Sequence, residues 1–208
     1  MLGVLKAIRR GGASGDEVNP QANRAGDLMV AQGLPPGTEI TRQGGSYQAM
    51  TTSAVAALVV RPSTVALGSL WNGEPAGGKS YVIDRAFGFN LVSTAAQTFA
   101  GLWLCSHVRV DVSGKAEEIT AFNSTSGRSG YGGEARFEVD GTVVDDGWYP
   151  WGVASEAEEA GVLPGGVIIA PVAGRIIVPP QGGISATVVS GVVGDTFTVG
   201  FHWHEVQL

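Results

Sequence analysis

Beginning at Ser46, the sequence consists of short runs of β-branched and aromatic residues separated by clusters of Gly, Pro, Asn and Asp. Side chains alternate between the two faces of a strand, and short runs of this kind between turn residues are typical of all-β domains. About ten such runs in a chain of this length fit two packed sheets, so we predict an all-β fold, a jelly-roll-like β-sandwich over residues 46–208. The predicted strands are Tyr47–Thr51, Ala54–Val60, Val65–Trp71, Ser80–Ala86, Phe87–Val92, Phe99–Val112, Ala135–Val139, Thr142–Tyr149, Val167–Ile169, Val172–Val178, Ile184–Ser190 and Thr196–His204.

The last predicted strand, TFTVGFHWH, has one polar face and one apolar face. Because side chains alternate along a strand, Thr196, Thr198, His202 and His204 lie opposite the large apolar residues. We expect the apolar face to belong to the core. It consists of Phe197, Val199, Phe201 and Trp203.

The strand within FAGLWLCSH is apolar on both faces. Leu102 and Leu104 share one face, and Trp103 and Cys105 share the other. A strand of this type has to be covered on both sides. We therefore expect it either to lie centrally in its sheet or to meet another subunit with its outer face.

The first 45 residues have a different composition. The stretch RRGGASGDEVNPQANRAGD is rich in Gly, Asn and charged residues and has neither a helical nor an alternating apolar pattern. Leu2, Leu5 and Ile8 recur every three residues and can form one helical turn. We predict an extended N-terminal arm over residues 1–45, with these three residues as partner contacts. The arm either frays in the isolated chain or orders when it lies on a neighbour.

The chain carries few charges. Charged residues make up 15% of the 208 residues, where about 25% is usual, and this predicts a surface that largely faces other subunits. The net charge of −6 argues against attraction to nucleic acid or to an anionic membrane. No stretch approaches the roughly 20 apolar residues of a membrane span, and the first residues do not form a secretory signal. We therefore expect a protein that is made and kept in the cytosol, or assembled there, with no nucleic-acid or membrane partner.

Residues 73–80, GEPAGGKS, match the pattern G-x-x-x-x-G-K-[ST] of the phosphate-binding P-loop. A working P-loop needs a helix after the Lys-Ser pair, because the helix N-terminus helps to hold the phosphates. The residues that follow, YVIDRAFGFNLV, favour a strand instead. We therefore predict a strand-to-strand loop and no nucleotide cofactor.

No set of residues indicates catalysis. The sequence lacks a G-x-S-x-G elbow, its single cysteine lies in an apolar strand, and its three histidines have no evident partners. His202 and His204 lie two apart on one strand and so share a face, which is a geometry that metal ions use, but no third ligand is evident. A pair of exposed or interface histidines is the alternative. We predict neither an enzyme nor a metal or cofactor site.

Two loops are candidate contact sites. The polar loop NSTSGRSGYGG carries Arg128 and Tyr131, and loops at the ends of a sandwich commonly bind partners. The alternative is a plain mobile connector. The segment WYPWG gathers Trp148, Tyr149 and Trp151 around a proline. These aromatic residues fill a subunit boundary, which we favour, close the end of the sandwich, or stack on the sugars of a glycan. We predict partner-binding roles for all five residues.

Several segments resemble virion proteins of tailed bacteriophages: RAGDLMVAQG, then GGSYQAMTT, then a strand leading to SLWNG, and finally GFHWHEVQL. The resemblance implies a small glycine-rich β-sandwich protein that trimerises and decorates a capsid or belongs to a head spike or tail. Its partners would be sister copies and the major capsid protein or other virion proteins. It would reside in the virion after assembly in the host cytoplasm. The alternative is a head-spike or tail-associated module that binds a host receptor or glycan.

Overall fold

The structure is a computed structural model that describes residues 38–42, 44–93, 100–107, 119–121, 132–143, 147–154 and 167–208. These residues contain one short helix, α1 (Thr38–Arg42), and eleven strands. None of the helical residues described belongs to a segment long and apolar enough to cross a membrane. In chain order the strands are β1 (Ser46–Met50), β2 (Val55–Ala56), β3 (Val65–Asn72), β4 (Ser80–Val92), β5 (Ala100–His107), β6 (Ile119–Ala121), β7 (Ala135–Thr142), β8 (Tyr149–Ala154), β9 (Val167–Val178), β10 (Gly183–Ser190) and β11 (Thr196–Val206).

The strands form two antiparallel sheets. In the first sheet the strand order is β6-β1-β11-β4-β9, and the short β2 also pairs with β11. In the second sheet the order is β7-β3-β10-β5-β8. Side chains from both sheets share one apolar core. The predicted all-β sandwich of two packed sheets is therefore confirmed.

The core is built from the inward faces of the strands. The ring of Trp203 on β11 stacks on that of Tyr81 on β4, with a distance of 6.1 Å between the ring centroids. Phe197, Val199 and Phe201 are fully buried beside them, so the predicted core face of the last strand is confirmed. The second sheet contributes Leu70, Leu102, Leu104, Ile184 and Val188.

A second, smaller apolar cluster covers the outer face of β5. Trp148 anchors it and donates a hydrogen bond from Nε1 to the carbonyl oxygen of Ser63 at 2.8 Å. β5 itself lies between β10 and β8. The prediction that this strand is covered on both sides is confirmed. The described residues that cover its outer face belong to the same chain. The members of the cluster are Ala66, Cys105, Val143 and Trp148, with Trp103 packed against them.

β4 is one strand, where the sequence predicts two, Ser80–Ala86 and Phe87–Val92. The irregularity lies at Asp84, which is an extra residue in β4 between Ile83 and Arg85. A bulge of this kind bends a strand and re-aims its side chains without ending it. The predicted break between the two halves was therefore wrong.

β9 is also continuous, where the sequence predicts Val167–Ile169 and Val172–Val178. Pro171 has no N–H to donate, but within the described residues β9 pairs only with β4 and lies at the edge of its sheet, where proline is tolerated. The backbone then passes through positive φ at Ala173 and Gly174, at 51° and 75°. The strand continues beyond this local turn, so the predicted break was wrong.

The predicted strand Thr142–Tyr149 was also wrong. Thr142 is the last residue of β7, and the N–H of Val143 donates to the carbonyl oxygen of Thr64 at 2.7 Å. The next strand begins only at Tyr149. β6 was not predicted, because three residues are too few to show an alternating pattern.

The described residues of the predicted arm contact the first sheet. The N–H groups of Gly44 and Gly45 donate to the carbonyl oxygens of the last turn of α1, at 3.0 and 2.9 Å. The carbonyl oxygen of Gly45 accepts a hydrogen bond from the N–H of Glu205 on β11 at 3.0 Å. Residues 38–42, 44 and 45 are thereby joined to the sandwich. Leu2, Leu5 and Ile8, the apolar residues of the predicted helical turn, lie outside the described residues.

Candidate functional site

The outward face of the first sheet carries rows of side chains that run across its strands. The middle row consists of Met50, Gly200, Phe87 and Ile169, which pair in register across β1, β11, β4 and β9. Phe87 lies over Gly200, because a Cβ at Gly200 would be 2.5 Å from Cζ of Phe87. The glycine therefore leaves the space that the phenyl ring fills.

The rows on either side of the middle row differ in polarity. Phe89 pairs with Val167 in one of them. The other row contains Gln48, His202 and Arg85, which pair across β1, β11 and β4. The face is thus apolar toward the end of β4 and polar toward its centre.

This face exposes much of the apolar surface that the described residues present to solvent. Seven of the twelve large hydrophobic residues that are exposed lie on β1, β4 and β9. Ile169 and Met50 are more than half exposed, at 57% and 52%. Five of the seven line one groove, and a contiguous exposed apolar patch of this kind marks an interaction surface. The seven residues are Met50, Phe89, Leu91, Val92, Val167, Ile169 and Ile177.

An open groove of about 600 Å³ runs along this face. Its volume lies within the roughly 300–1,000 Å³ that is usual for ligand sites. Arg85 is the single charged side chain among its described lining residues at neutral pH, and none of them is acidic. The lining consists of Gln48, Met50, Thr51, Thr52, Arg85, Phe87, Phe89, Leu91, Val167, Ile169, Thr198 and His202.

His202 lies at the polar end of the groove. Its ring contacts the ring of Phe87 edge-on, with 5.0 Å between the centroids. Burial and the positive charge of Arg85 hold the pKa of His202 below its ordinary value of 6.5, against an opposing effect of Asp84. At neutral pH the imidazole is therefore uncharged, and Arg85 supplies the charge of the groove.

We expect Arg85→Gln to raise the pKa of His202 toward 6.5. The substitution removes the neighbouring positive charge but leaves the imidazole half-buried, so the rise is partial. An NMR pH titration of the His202 ring protons in the two proteins measures it. Because the folded protein binds this proton less readily than the unfolded chain, His202 lowers the free energy of unfolding as the pH falls below 6.5.

Arg175→Gln is the matched control for this titration. Arg175 is an exposed arginine of β9 that does not line the groove, so its loss should leave the pKa of His202 unchanged. Equal pKa values in the wild type and in Arg85→Gln would contradict the assignment of Arg85 as a cause of the low pKa.

His202 and His204 do not converge on one site. Nδ1 of His204 lies 3.0 Å from Oδ2 of Asp84, the bulged residue of β4, whereas His202 faces the groove. The part of the chain that the structure describes contains no group of three His, Cys, Asp or Glu residues that could hold a metal ion. Asp84 also gives His204 a partner that was not evident from the sequence.

A buried polar row lies on the second sheet. Oγ of Ser185 lies 2.7 Å from Oγ of Ser69 and 2.9 Å from Nε2 of His107, whose ring stacks on Trp71. His107 thus has partners as well, contrary to the sequence expectation. A serine beside a histidine is the arrangement of a nucleophile and its base. All three side chains are at most 3% exposed, so this row is closed to a substrate and joins three strands of the sheet.

The segment that matches the P-loop pattern is a connection between the two sheets. β3 ends at Asn72 and β4 begins at Ser80, so a strand follows the Lys-Ser pair, as predicted. The buried amide of Asn72 holds the loop by donating to the carbonyl oxygens of Lys79 and Val178 at 2.9 and 3.1 Å. Nζ of Lys79 binds a carboxylate oxygen of Glu205 at 3.0 Å. The lysine is therefore engaged in an ion pair at the surface.

The structure separates the three aromatic residues of WYPWG. Trp148 is 3% exposed and belongs to the cluster over β5, so its burial is accounted for within one chain. Tyr149 and Trp151 are half-buried and pack against the main core, with 5.7 Å between their ring centroids. Trp148 is thus closed to a glycan in this structure. Arg128 and Tyr131 lie outside the described residues.

Sequence reasoning missed the groove because of the bulge in β4. Tyr81 and Ile83 point into the core, and strict alternation from them would also direct Arg85, Phe87 and Phe89 inward. The extra residue at Asp84 reverses the direction, so these side chains point outward. The available signal was Asp84 itself, a charged residue in the middle of an otherwise apolar strand.

No protein-family model and no curated protein matches this chain. The candidate site is therefore defined by its geometry: an exposed apolar sheet face, a groove along β4, and one arginine at the polar end of that groove. These features are the basis for what the protein can bind.

Proposed function

We propose that this chain is a structural virion protein of a tailed bacteriophage, a capsid decoration protein that trimerises and binds the capsid surface in part through residues 1–45. The resemblance of segments such as GGSYQAMTT and GFHWHEVQL to phage virion proteins suggests the class. The observation that carries the proposal is the exposed apolar face of the first sheet. Contiguous apolar patches of this kind are typical of surfaces that a protein neighbour covers.

We also infer that the sandwich is a jelly roll. Eight of its strands pair in the orders β1-β11-β4-β9 and β3-β10-β5-β8, so strands far apart in the sequence are neighbours in each sheet. Eight-stranded jelly rolls built from two Greek keys occur in viral capsid domains and in lectins. A fold alone does not select between these roles. The apolar face supports the capsid role, because an apolar sheet face suits a protein neighbour better than a sugar.

The work of such a protein is mechanical. Apolar area removed from water contributes about 25 cal/mol per Å², so covering about 400 Å² of this face contributes about 10 kcal/mol before the costs of association are subtracted. Each copy that covers the face with a neighbour adds one such contact. Many copies together then hold the shell against the pressure of the packaged DNA.

We expect removal of residues 1–26 to abolish loading onto particles while the sandwich stays folded. Residues 37–208 form a compact unit with its own core, so the thermal midpoint should not change. The arm supplies the predicted capsid contacts Leu2, Leu5 and Ile8, so cosedimentation should be lost. The measurement is cosedimentation with particles of the cognate phage assembled without this protein, alongside thermal unfolding followed by circular dichroism.

A full-length variant with serine at Leu2, Leu5 and Ile8 is the control for the truncation. It keeps the length of the arm and removes only its apolar side chains, so loading should be lost in both variants if those side chains make the contact. Unchanged loading of the truncated protein would refute the role of the arm.

A further inference from the structure

We propose that the groove on the first sheet binds an extended peptide segment of a neighbouring virion protein, and that this segment carries alternating apolar side chains and places a carboxylate against Arg85. The inference rests on the proposed function, because it names the chemistry of the neighbour that covers the apolar face. It goes beyond that function in assigning a defined site and a defined residue to the contact.

The shape of the groove fits a chain in extended conformation. The groove is lined at alternate positions of β4 by Arg85, Phe87, Phe89 and Leu91. The stretch from Arg85 to Leu91 is about 20 Å long at about 3.3 Å per residue. An extended segment of about six residues has the same length. The groove is open to solvent and not an enclosed cavity, so a chain can enter and leave it.

The positive charge of the groove favours an acidic segment as its occupant. Arg85 lies among apolar side chains, and the described lining contains no carboxylate to accompany it. An apolar neighbour that covered Arg85 without a partner would bury an uncompensated charge. An aspartate or glutamate on the neighbour removes this cost and forms a charge-assisted, bidentate contact with the guanidinium. His202 and Gln48 in the same row can add hydrogen bonds to that carboxylate.

The distribution of polar groups favours a peptide over an acyl chain. Gln48 lies at one end of the groove, and Thr52 and Thr198 line it elsewhere. A peptide in extended conformation presents N–H and C=O groups along its whole length and needs such partners. The chain of a fatty acid needs a polar partner only at its carboxylate. The lining therefore matches a polypeptide backbone with apolar side chains.

The N-terminal segment of a second copy does not fit this groove. MLGVLKAIRR is apolar, but its charged residues are Lys6, Arg9 and Arg10, and it contains no acidic residue. These cations would lie close to Arg85, and like charges repel. These ten residues are therefore not the occupant, and we assign the groove to an acidic, apolar segment of a neighbouring virion protein.

Selection from a displayed library of random peptides of about 12 residues, long enough to span the groove, tests the proposal on the immobilised full-length protein. We expect the wild type to enrich peptides with Asp or Glu next to alternating apolar residues, and Arg85→Glu to enrich Lys or Arg instead. Arg175 is an exposed arginine outside the groove, so Arg175→Glu should select the wild-type motif. A synthetic peptide selected on the wild type should bind Arg85→Glu roughly tenfold or more weakly, measured by fluorescence anisotropy.

Two outcomes overturn the inference. In the first, the selected motif contains no acidic residue, or the wild type and Arg85→Glu select the same motif although the two proteins have equal thermal midpoints. The other outcome is that no peptide is enriched although the protein still associates through this face. That result would assign the groove to a second copy and leave the proposed function standing. Acidic motifs selected by a protein that neither trimerises nor loads onto particles would support the groove and refute the proposed function.

Discussion

Phe201→Ala is expected to lower the free energy of unfolding by about 3–5 kcal/mol, the usual range for removing a buried phenyl ring. Phe201 is fully buried on the core face of β11, in the same cluster as Trp203 and Leu102. The substitution removes apolar contacts from both sheets and leaves a cavity between them. Urea denaturation followed by tryptophan fluorescence measures the loss as a lower midpoint at an unchanged slope.

Phe89→Ala is the matched control, because it removes the same ring from the outer face of the same sheet. Phe89 is 39% exposed and lines the groove. Its loss should cost about 1 kcal/mol or less, as is usual for surface positions. Comparable losses for the two variants would contradict the assignment of inner and outer faces.

The core could be predicted from the sequence wherever a strand alternates without interruption. TFTVGFHWH places its four large apolar residues at every second position, and the structure buries all of them. The apolar pattern on both faces of FAGLWLCSH likewise indicates a strand covered on both sides. In each case the alternation alone indicates which side chains are buried, because it depends only on the local geometry of the strand.

The outer groove could not be predicted in the same way, because it depends on register. The bulge at Asp84 shifts the alternation in β4 and turns Arg85 and Phe87 outward. The pairing of Arg85 with His202 joins strands that are distant in the sequence. Neither the position of a bulge nor a long-range register is encoded in the alternation of one strand.

The buried row on the second sheet was missed for a related reason. Ser69 and Ser185 lie 116 positions apart, and His107 lies 78 positions from Ser185. Each residue by itself is an unremarkable polar position in a strand. Only the pairing of β10 with both β3 and β5 brings the three side chains together.

Ile169→Asp is expected to weaken loading onto particles without unfolding the protein. Ile169 is 57% exposed in the middle row of the apolar face, so the single chain tolerates a polar residue there. In an assembly that covers this face, the new carboxylate would be buried among apolar side chains. A loss of about 2–4 kcal/mol, typical of a central interface residue, weakens association about 30- to 1,000-fold.

Cosedimentation with particles assembled without this protein measures the loss. Mass photometry distinguishes it from dissociation of the protein, because a trimer of a 21.4 kDa chain has three times that mass. Val193→Asp is the control: Val193 is 76% exposed but lies in the turn between β10 and β11, away from the groove. It should leave loading intact, whereas Ile169→Asp should reduce loading while the trimer and the thermal midpoint stay unchanged. Loading that survives Ile169→Asp would separate the apolar face from the contact with the neighbouring virion protein, because a carboxylate buried among apolar side chains costs binding free energy. Dissociation of the trimer by Ile169→Asp would instead assign the face to a second copy.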